Sequence, residues 1–280
     1  MTISQQDSGR RVRTANWNLH YHEAGSGYPV IMLHGSGVGA SGWSNFSGNL
    51  EALAAHYRVL AVDMPGWGAS DPCPVDKLDH VAALMEFMDA LGIEKAAMIG
   101  NSMGGTTVLR TAVEHPDRIS HLITMGAPAN RMPRLFGAGD GPTEGIKILI
   151  EGYRNPTPET IRRLVQIMCF DKAFATDELC IRRAEAANAC PEHLANFLAG
   201  LARGWPVPKW APIEDLMKLK IPALLIHGRD DRVVHFEHSL QLVSVIPNAR
   251  LVLLNRCGHW AMIEHAAEFN RLVVDFVQHA

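Results

Sequence analysis

The 280-residue sequence predicts an α/β protein, a mostly parallel sheet covered by helices and interrupted by an inserted helical lid. Three observations carry that expectation. Apolar runs suited to buried strands alternate with helix-like runs at the spacing of βαβ units. From about Met132 to Trp205 the alternation stops, and four helical patterns follow one another. Strand-like runs then resume, and the chain closes on a helix.

Taken in order, a polar leader precedes NWNLHYHEAG, which alternates as a strand does, and YPVIMLHG, a continuous apolar run fit for burial on both faces. NFSGNLEALAA reads as a helix, followed by a strand ending at Asp63. HVAALMEFMDALG and the strand KAAMIGN repeat the unit, and TTVLRTAVEH with ISHLITMG repeats it again. The lid helices are EGIKILIEGY, PETIRRLVQIMC, TDELCIRRAEAANA and PEHLANFLAGLA, with polar or Pro starts. IPALLIHG and ARLVLLN resume the strands, and AAEFNRLVVDFVQHA is the closing helix. The expected organisation is a core of residues 1–134 and 206–280 with a lid of 135–205.

Composition sets broad limits. Hydrophobic content of 47% and charged content of 20% describe a globular protein. A formal net charge of -3 gives no electrostatic footprint for nucleic acid. The five cysteines are odd in number and lack a CxxC pair, which argues against structural disulfides and zinc. No apolar leader or membrane-length apolar run is found, so a reduced, cytoplasmic protein is expected.

Gly100-Asn101-Ser102-Met103-Gly104 matches Gly-x-Ser-x-Gly, the pattern of a nucleophile on a sharp strand-to-helix turn. Alone it is weak, because glycine and serine cluster in loops. A nucleophilic serine needs a base and an acid that fixes the base's tautomer, and in this kind of sheet they follow in the order Ser, Asp, His, each after a later strand. After ALLIHG come Asp230 and Asp231, and after LVLLN comes His259. Asp231 is the expected acid, since its place in the turn carries it past the strand end, and Asp230 is read as a solvated turn residue. His235 and His238 have metal-ligand spacing at a stretch, without an evident third ligand.

A rival signal is Gly37-Val38-Gly39-Ala40-Ser41-Gly42, which matches the dinucleotide fingerprint, with Asp63 placed where such folds bind a ribose hydroxyl. No good helix starts within those glycines. Their other use is to free backbone N–H groups for an oxyanion, and Asp63 is as readily a structural turn residue.

GNSMGG, LHGSGVGASGWSNF, GRDDRVV and CGHWAMIEHAAEFNRLVVDF together resemble the meta-cleavage product hydrolases, serine-triad members of the α/β-hydrolase fold. These cut a carbon–carbon bond in ring-fission products of aromatic degradation. The resemblance spans nearly the whole chain. It implies Ser102, Asp231 and His259 as catalytic residues and the N–H groups of Ser36 and Met103 as the oxyanion hole. Asn45, Asn101, Arg183 and Trp260 match positions at the substrate's carboxylate and 2-hydroxy or 2-oxo end, Leu164, Met168, Trp210 and Val233 match positions lining the other end, and Gly37 is a further implied substrate-binding residue. The implied substrate is a 2-hydroxy-6-oxohexa-2,4-dienoate with an aryl group at C6, with no cofactor or metal, and the implied assembly is a homo-oligomer. From sequence alone Arg183 reads more simply as a solvated lid residue beside Arg182. Rival functions are a carboxylesterase or lactonase on the same triad, a dinucleotide-dependent oxidoreductase and a non-catalytic receptor. Trp43, Trp67 and Trp205 are read as packing residues, and Met85, Met88 and Met98 as core filler.

Overall fold

A computed structural model describes residues 3–128, 142–203 and 210–280. The elements in chain order are α1 (Gln5–Ser8), β1 (Gly9–Arg13), β2 (Asn18–Ala24), β3 (Pro29–Leu33), α2 (Gly42–Ala54), β4 (Arg58–Val62), α3 (His80–Ala90), β5 (Ala96–Asn101), α4 (Met103–Glu114) and β6 (Ile119–Met125). Four lid helices follow: α5 (Glu144–Arg154), α6 (Pro158–Met168), α7 (Asp177–Asn188) and α8 (Pro191–Ala202). The chain ends with α9 (Ile213–Leu216), β7 (Ala223–Gly228), α10 (Glu237–Val245), β8 (Ala249–Leu254), α11 (Ala261–Glu264) and α12 (Ala266–His279).

The strands form one eight-stranded sheet in the order β1-β2-β4-β3-β5-β6-β7-β8, antiparallel at β1-β2 and β2-β4 and parallel elsewhere. The α/β class read from the sequence is therefore the observed one. β5 and β7 are buried at every residue, as strands covered by helices on both faces must be. One face carries Phe46 and Leu50 of α2 and Phe269 and Val273 of α12; the other carries Leu84 and Phe87 of α3 and Val108 and Leu109 of α4. β3 lies between β4 and β5, so the winding direction switches there and the loops after β3 and β5 diverge into a crevice.

The lid forms for local reasons. Thr157 caps α6 ahead of Pro158, and Ile161, Leu164, Val165 and Met168 make the buried stripe at helical spacing. Burying each such side chain contributes roughly 1.5–3 kcal/mol. In α7 the inward stripe is Cys180, Arg183, Ala184 and Ala187, which turns Arg183 to the interior and leaves Arg182 outside. The expected lid boundaries, near residues 134 and 206, lie outside the described residues.

Five of these elements have no counterpart in the sequence reading: the four-residue helices α1, α9 and α11, the strand β1 and the helix α10. β1, GRRVR, reads as polar leader; it is an edge strand with exposed arginines, so it lacks an apolar signature. α10 buries only Glu237, Ser239 and Leu242 and has no side-chain cap, so it carries neither a long apolar stripe nor a start signal.

Candidate active site

Ser102 stands between the last residue of β5 and the first of α4, with φ 52° and ψ −114°. A non-glycine residue in that region is strained, and the surrounding packing holds it there. The glycines explain how. A Cβ on Gly100 would lie 2.3 Å from the carbonyl oxygen of Gly104, and one on Gly104 would lie 2.3 Å from that of Leu33. A Cβ on Gly105 would lie 2.6 Å from Cβ of Ala127. Helix and strands approach too closely at these positions for any side chain. Ser102 N–H donates to Met125 O at 2.8 Å, tying the turn to the end of β6.

Met103 opens α4, so its N–H belongs to the unpaired, electropositive start of a helix. Ser36, Ser102 and Met103 share the wall of one cavity of about 660 Å³. The Ser36 carbonyl accepts the Tyr153 hydroxyl at 2.9 Å, and that hydroxyl accepts Trp67 Nε1–H at 2.9 Å, which pins the glycine loop to α5.

Asp231 follows β7 and His259 follows β8. His259 Nδ1 lies 2.7 Å from Asp231 Oδ2, and both side chains are buried. Asp231 Oδ1 accepts the N–H groups of Val233 and Val234 at 2.8 and 2.9 Å. Burial by itself would raise the Asp231 carboxyl, but the charge of His259 and hydrogen bonds from His227 and His259 outweigh it and hold the group well below the usual carboxylate range. Asp231 is thus an acid kept ionised against a histidine, whereas Asp230 takes part in the turn through its N–H to Cys257 O.

On the other side of the glycine loop, Arg183 is 3% exposed. Its guanidinium stacks on Trp260, 4.7 Å from the ring centroid, and Nη2 reaches Val38 O at 3.5 Å. Nε is buried without a partner, and among the described residues no carboxylate pairs with this cation. Burial lowers it to about 10. A Cβ on Gly37 would sit 3.4 Å from Arg183 Nη2, so the loop passes close by. Asn45 Nδ2 donates to Asn101 Oδ1 at 3.3 Å, and Asn101 Nδ2 donates to Met125 O and, at 3.4 Å, to His259 O. Asn45, Arg183 and Trp260 border a second cavity of about 590 Å³.

An alpha/beta hydrolase family model matches residues 30–272. The chain belongs to that family. It is 44% identical to a 2-hydroxy-6-oxo-6-phenylhexa-2,4-dienoate hydrolase of Comamonas testosteroni, over 93% of this chain and 91% of that protein. It is 41% identical to a 2-hydroxy-6-oxononadienedioate/2-hydroxy-6-oxononatrienedioate hydrolase of Pseudomonas putida, over 99% of each. A solved serine-to-alanine mutant of the meta-cleavage product hydrolase of Pseudomonas fluorescens IP01, complexed with acetates, superposes with a TM-score of 0.86 at 35% identity, covering 98% of this chain and 99% of that one. Within the alpha/beta hydrolases this chain is one of the meta-cleavage product hydrolases.

The remaining expected residues of this hydrolase fall unevenly. Trp210 and Val233 line the Ser102 cavity. Leu164 and Met168 are buried in the lid, and neither borders that cavity among its lining residues; Met168 contributes through its carbonyl, which accepts His259 N–H at 2.6 Å. Trp67 is buried, Trp43 borders the cavity beside Arg183, and Trp205 lies outside the described residues. Met85, Met88 and Met98 are core residues, and Cys257 is fully buried, its thiol pushed up by burial. His235 pairs with Glu237 at 2.9 Å and lines the Ser102 cavity with His238.

The dinucleotide fingerprint has a structural explanation. Asp63 accepts Gly42 N–H at 2.6 Å and Ala69 N–H at 2.9 Å and pairs with His20, so its carboxylate organises the loops. A Cβ on Gly39 would meet Arg183 O at 2.5 Å, and one on Gly42 would meet Ala61 O at 2.4 Å. The glycines thus admit α7 and let α2 cross β4, and, against the expectation that no helix starts among them, α2 begins at Gly42 because Ser41 and Ser44 form a capping box.

Two contributors were missed. Gly126, with φ 54°, would place a Cβ 2.8 Å from His259 Nδ1 and 3.2 Å from Asp231 Oδ2; its signal was its place right after a strand. His227 is fully buried and touches Asp231, but it reads in sequence as one apolar-strand residue among others.

Proposed function

We propose that this hydrolase cleaves the C5–C6 bond of a 2-hydroxy-6-oxohexa-2,4-dienoate bearing an aryl group at C6, giving 2-hydroxypenta-2,4-dienoate and a carboxylic acid such as benzoate. The observation that carries the reading is Arg183: a buried cation with an orphaned Nε, one loop away from Ser102. Such a group calls for an anion, and the planar guanidinium suits a carboxylate with an adjacent oxo group. An esterase of neutral substrates has no use for it.

In the proposed sequence Arg183, Asn45 and Asn101 hold the carboxylate end and favour the keto form, which makes the fragment beyond C5 an electron sink. His259 Nε2 takes the Ser102 proton and Ser102 Oγ attacks the C6 carbonyl, while Asp231 stabilises the imidazolium. The C6 oxyanion rests on the N–H groups of Ser36 and Met103, where one donor is typically worth about 3 kcal/mol. The C5–C6 bond breaks with its electron pair passing into the dienolate, and water supplies the second oxygen of the released acid.

Met103, Ile146, Leu149, Ile150, Trp210 and Val233 line the Ser102 cavity and suit an aryl group. A second reading keeps the reaction but gives the C6 substituent a terminal carboxylate, because Arg154, His235 and His238 line the same cavity. Relative kcat/KM on C6-phenyl, C6-methyl, C6-unsubstituted and C6-carboxyalkyl dienoates separates them. The aryl reading predicts that the phenyl compound is best; preference for the carboxyalkyl compound, lost in Arg154→Ala, establishes the second.

The five free cysteines, four of them buried, support a reduced, cytoplasmic setting, and no helix among the described residues is long and apolar enough to cross a membrane. A homo-oligomer is the assembly the family resemblance supports.

A further inference from the structure

The carboxylate of Asp231 carries a second histidine. His227, the penultimate residue of β7, is 0% exposed. Its Nε2 lies 2.9 Å from Val234 O and 3.1 Å from Asp231 Oδ2, the same oxygen that faces His259. A backbone carbonyl only accepts, so Nε2 carries the hydrogen and shares it between the two oxygens. Nδ1 lies 2.7 Å from Ser239 Oγ on α10, where the hydroxyl can donate.

We infer that His227 is a positioning residue for the base: held by Ser239 in its Nε2-protonated tautomer, it donates to Asp231 Oδ2 and fixes the carboxylate plane that orients His259. The geometry supports this in three ways. Among the described residues Oδ1 is anchored only to its own turn, through the N–H groups of Val233 and Val234, so rotation about that anchor would swing Oδ2 away from His259. Apart from His259 itself, the contact among the described residues that holds Oδ2 is His227, which ties it to the body of β7 and through it to α10. Ser239 is itself fully buried, so its hydroxyl hydrogen is directed at Nδ1 without competition from solvent. The relay therefore runs from Ser239 through His227 and Asp231 to His259.

This rests on reading Ser102, Asp231 and His259 as the triad, and the test separates the two. Steady-state kinetics on a C6-phenyl dienoate would compare the native enzyme with His227→Leu, His227→Gln, Ser239→Ala and Asp231→Asn. Loss of one donor to a buried carboxylate predicts roughly a tenfold fall in kcat for His227→Leu with KM little changed. Glutamine, whose amide can donate from a similar place, recovers most of the rate, and Ser239→Ala gives a smaller fall. Long-range ¹H–¹⁵N NMR of the native enzyme, with the His227 signal identified by its loss in His227→Gln, shows the hydrogen on Nε2. The inference is overturned if His227→Leu matches the native kcat, if folded His227→Gln is no better than His227→Leu, or if the hydrogen sits on Nδ1. Near-native turnover by Asp231→Asn instead removes the triad reading itself, and this proposal with it.

Discussion

Arg183→Met should make the protein more stable and far less active. The guanidinium is buried without a carboxylate partner among the described residues, and burial lowers its pKa well below the ordinary arginine value, to about 10. That displacement corresponds to roughly 3 kcal/mol opposing the folded, charged state. Because the folded value lies below the unfolded one, the penalty is fully present at every pH below about 10 and fades only as pH rises from there towards the ordinary arginine value. Methionine removes it, and also removes the stacking on Trp260, worth about 1–2 kcal/mol. The net is a gain of roughly 1–2 kcal/mol, or a few degrees in Tm for a chain of this size. Turnover moves the other way: leaving a substrate carboxylate unpaired in a closed site typically forfeits about 2–5 kcal/mol, so kcat/KM on a dienoate should fall on the order of 10² to 10³-fold. Thermal melts and the decay of the yellow dienoate measure the two effects on the same samples. A dienoate should also raise the Tm of Ser102→Ala and fail to raise that of Ser102→Ala/Arg183→Met. A variant that melts several degrees lower and turns over normally would show that Arg183 is a structural cation, and the reasoning would be refuted.

Further expectations follow from the packing. Gly104→Ala places a Cβ 2.3 Å from Leu33 O, a backbone atom that cannot turn aside. Urea denaturation should show a loss of about 3 kcal/mol or failure to fold, and native stability would contradict the elbow argument. For Asp63, burial raises the carboxyl, but the hydrogen bond from His20, the nearby His34 and Ala69 N–H together hold it below its ordinary value. Its stabilisation is present above about pH 4 and is lost as pH falls through the depressed folded value. Asp63→Asn should therefore lower stability by about 2 kcal/mol at pH 7, with the gap to the native protein closing in acid; a gap that stays constant with pH would contradict it. A fluorophosphonate should label the native enzyme and not Ser102→Ala, and labelling of the alanine variant would exclude Ser102 as the nucleophile.

Much of this was legible in the sequence because it is written in local rules. Buried parallel strands show as continuous apolar runs, the elbow shows as glycines flanking Ser102, and Asp231 and His259 follow their strands. Arg183 reads from the sequence alone as solvated beside Arg182, and only the family resemblance points to a site role; the structure buries it, because Cys180, Arg183, Ala184 and Ala187 share one face of α7, a spacing that the solvated reading passes over. The edge strand β1 escaped because edges are polar, and Gly126 and His227 because their meaning comes from residues distant in sequence, His259 and Ser239, that only the fold brings near.

The central claim is that Ser102 chemistry breaks a carbon–carbon bond. The most direct test incubates the native enzyme and Ser102→Ala with 2-hydroxy-6-oxo-6-phenylhexa-2,4-dienoate, follows the loss of yellow colour and quantifies the products by chromatography. Equimolar 2-hydroxypenta-2,4-dienoate and benzoate from the native enzyme, and neither from Ser102→Ala, is the predicted result. An intact dienoate beside rapid hydrolysis of simple esters would contradict it.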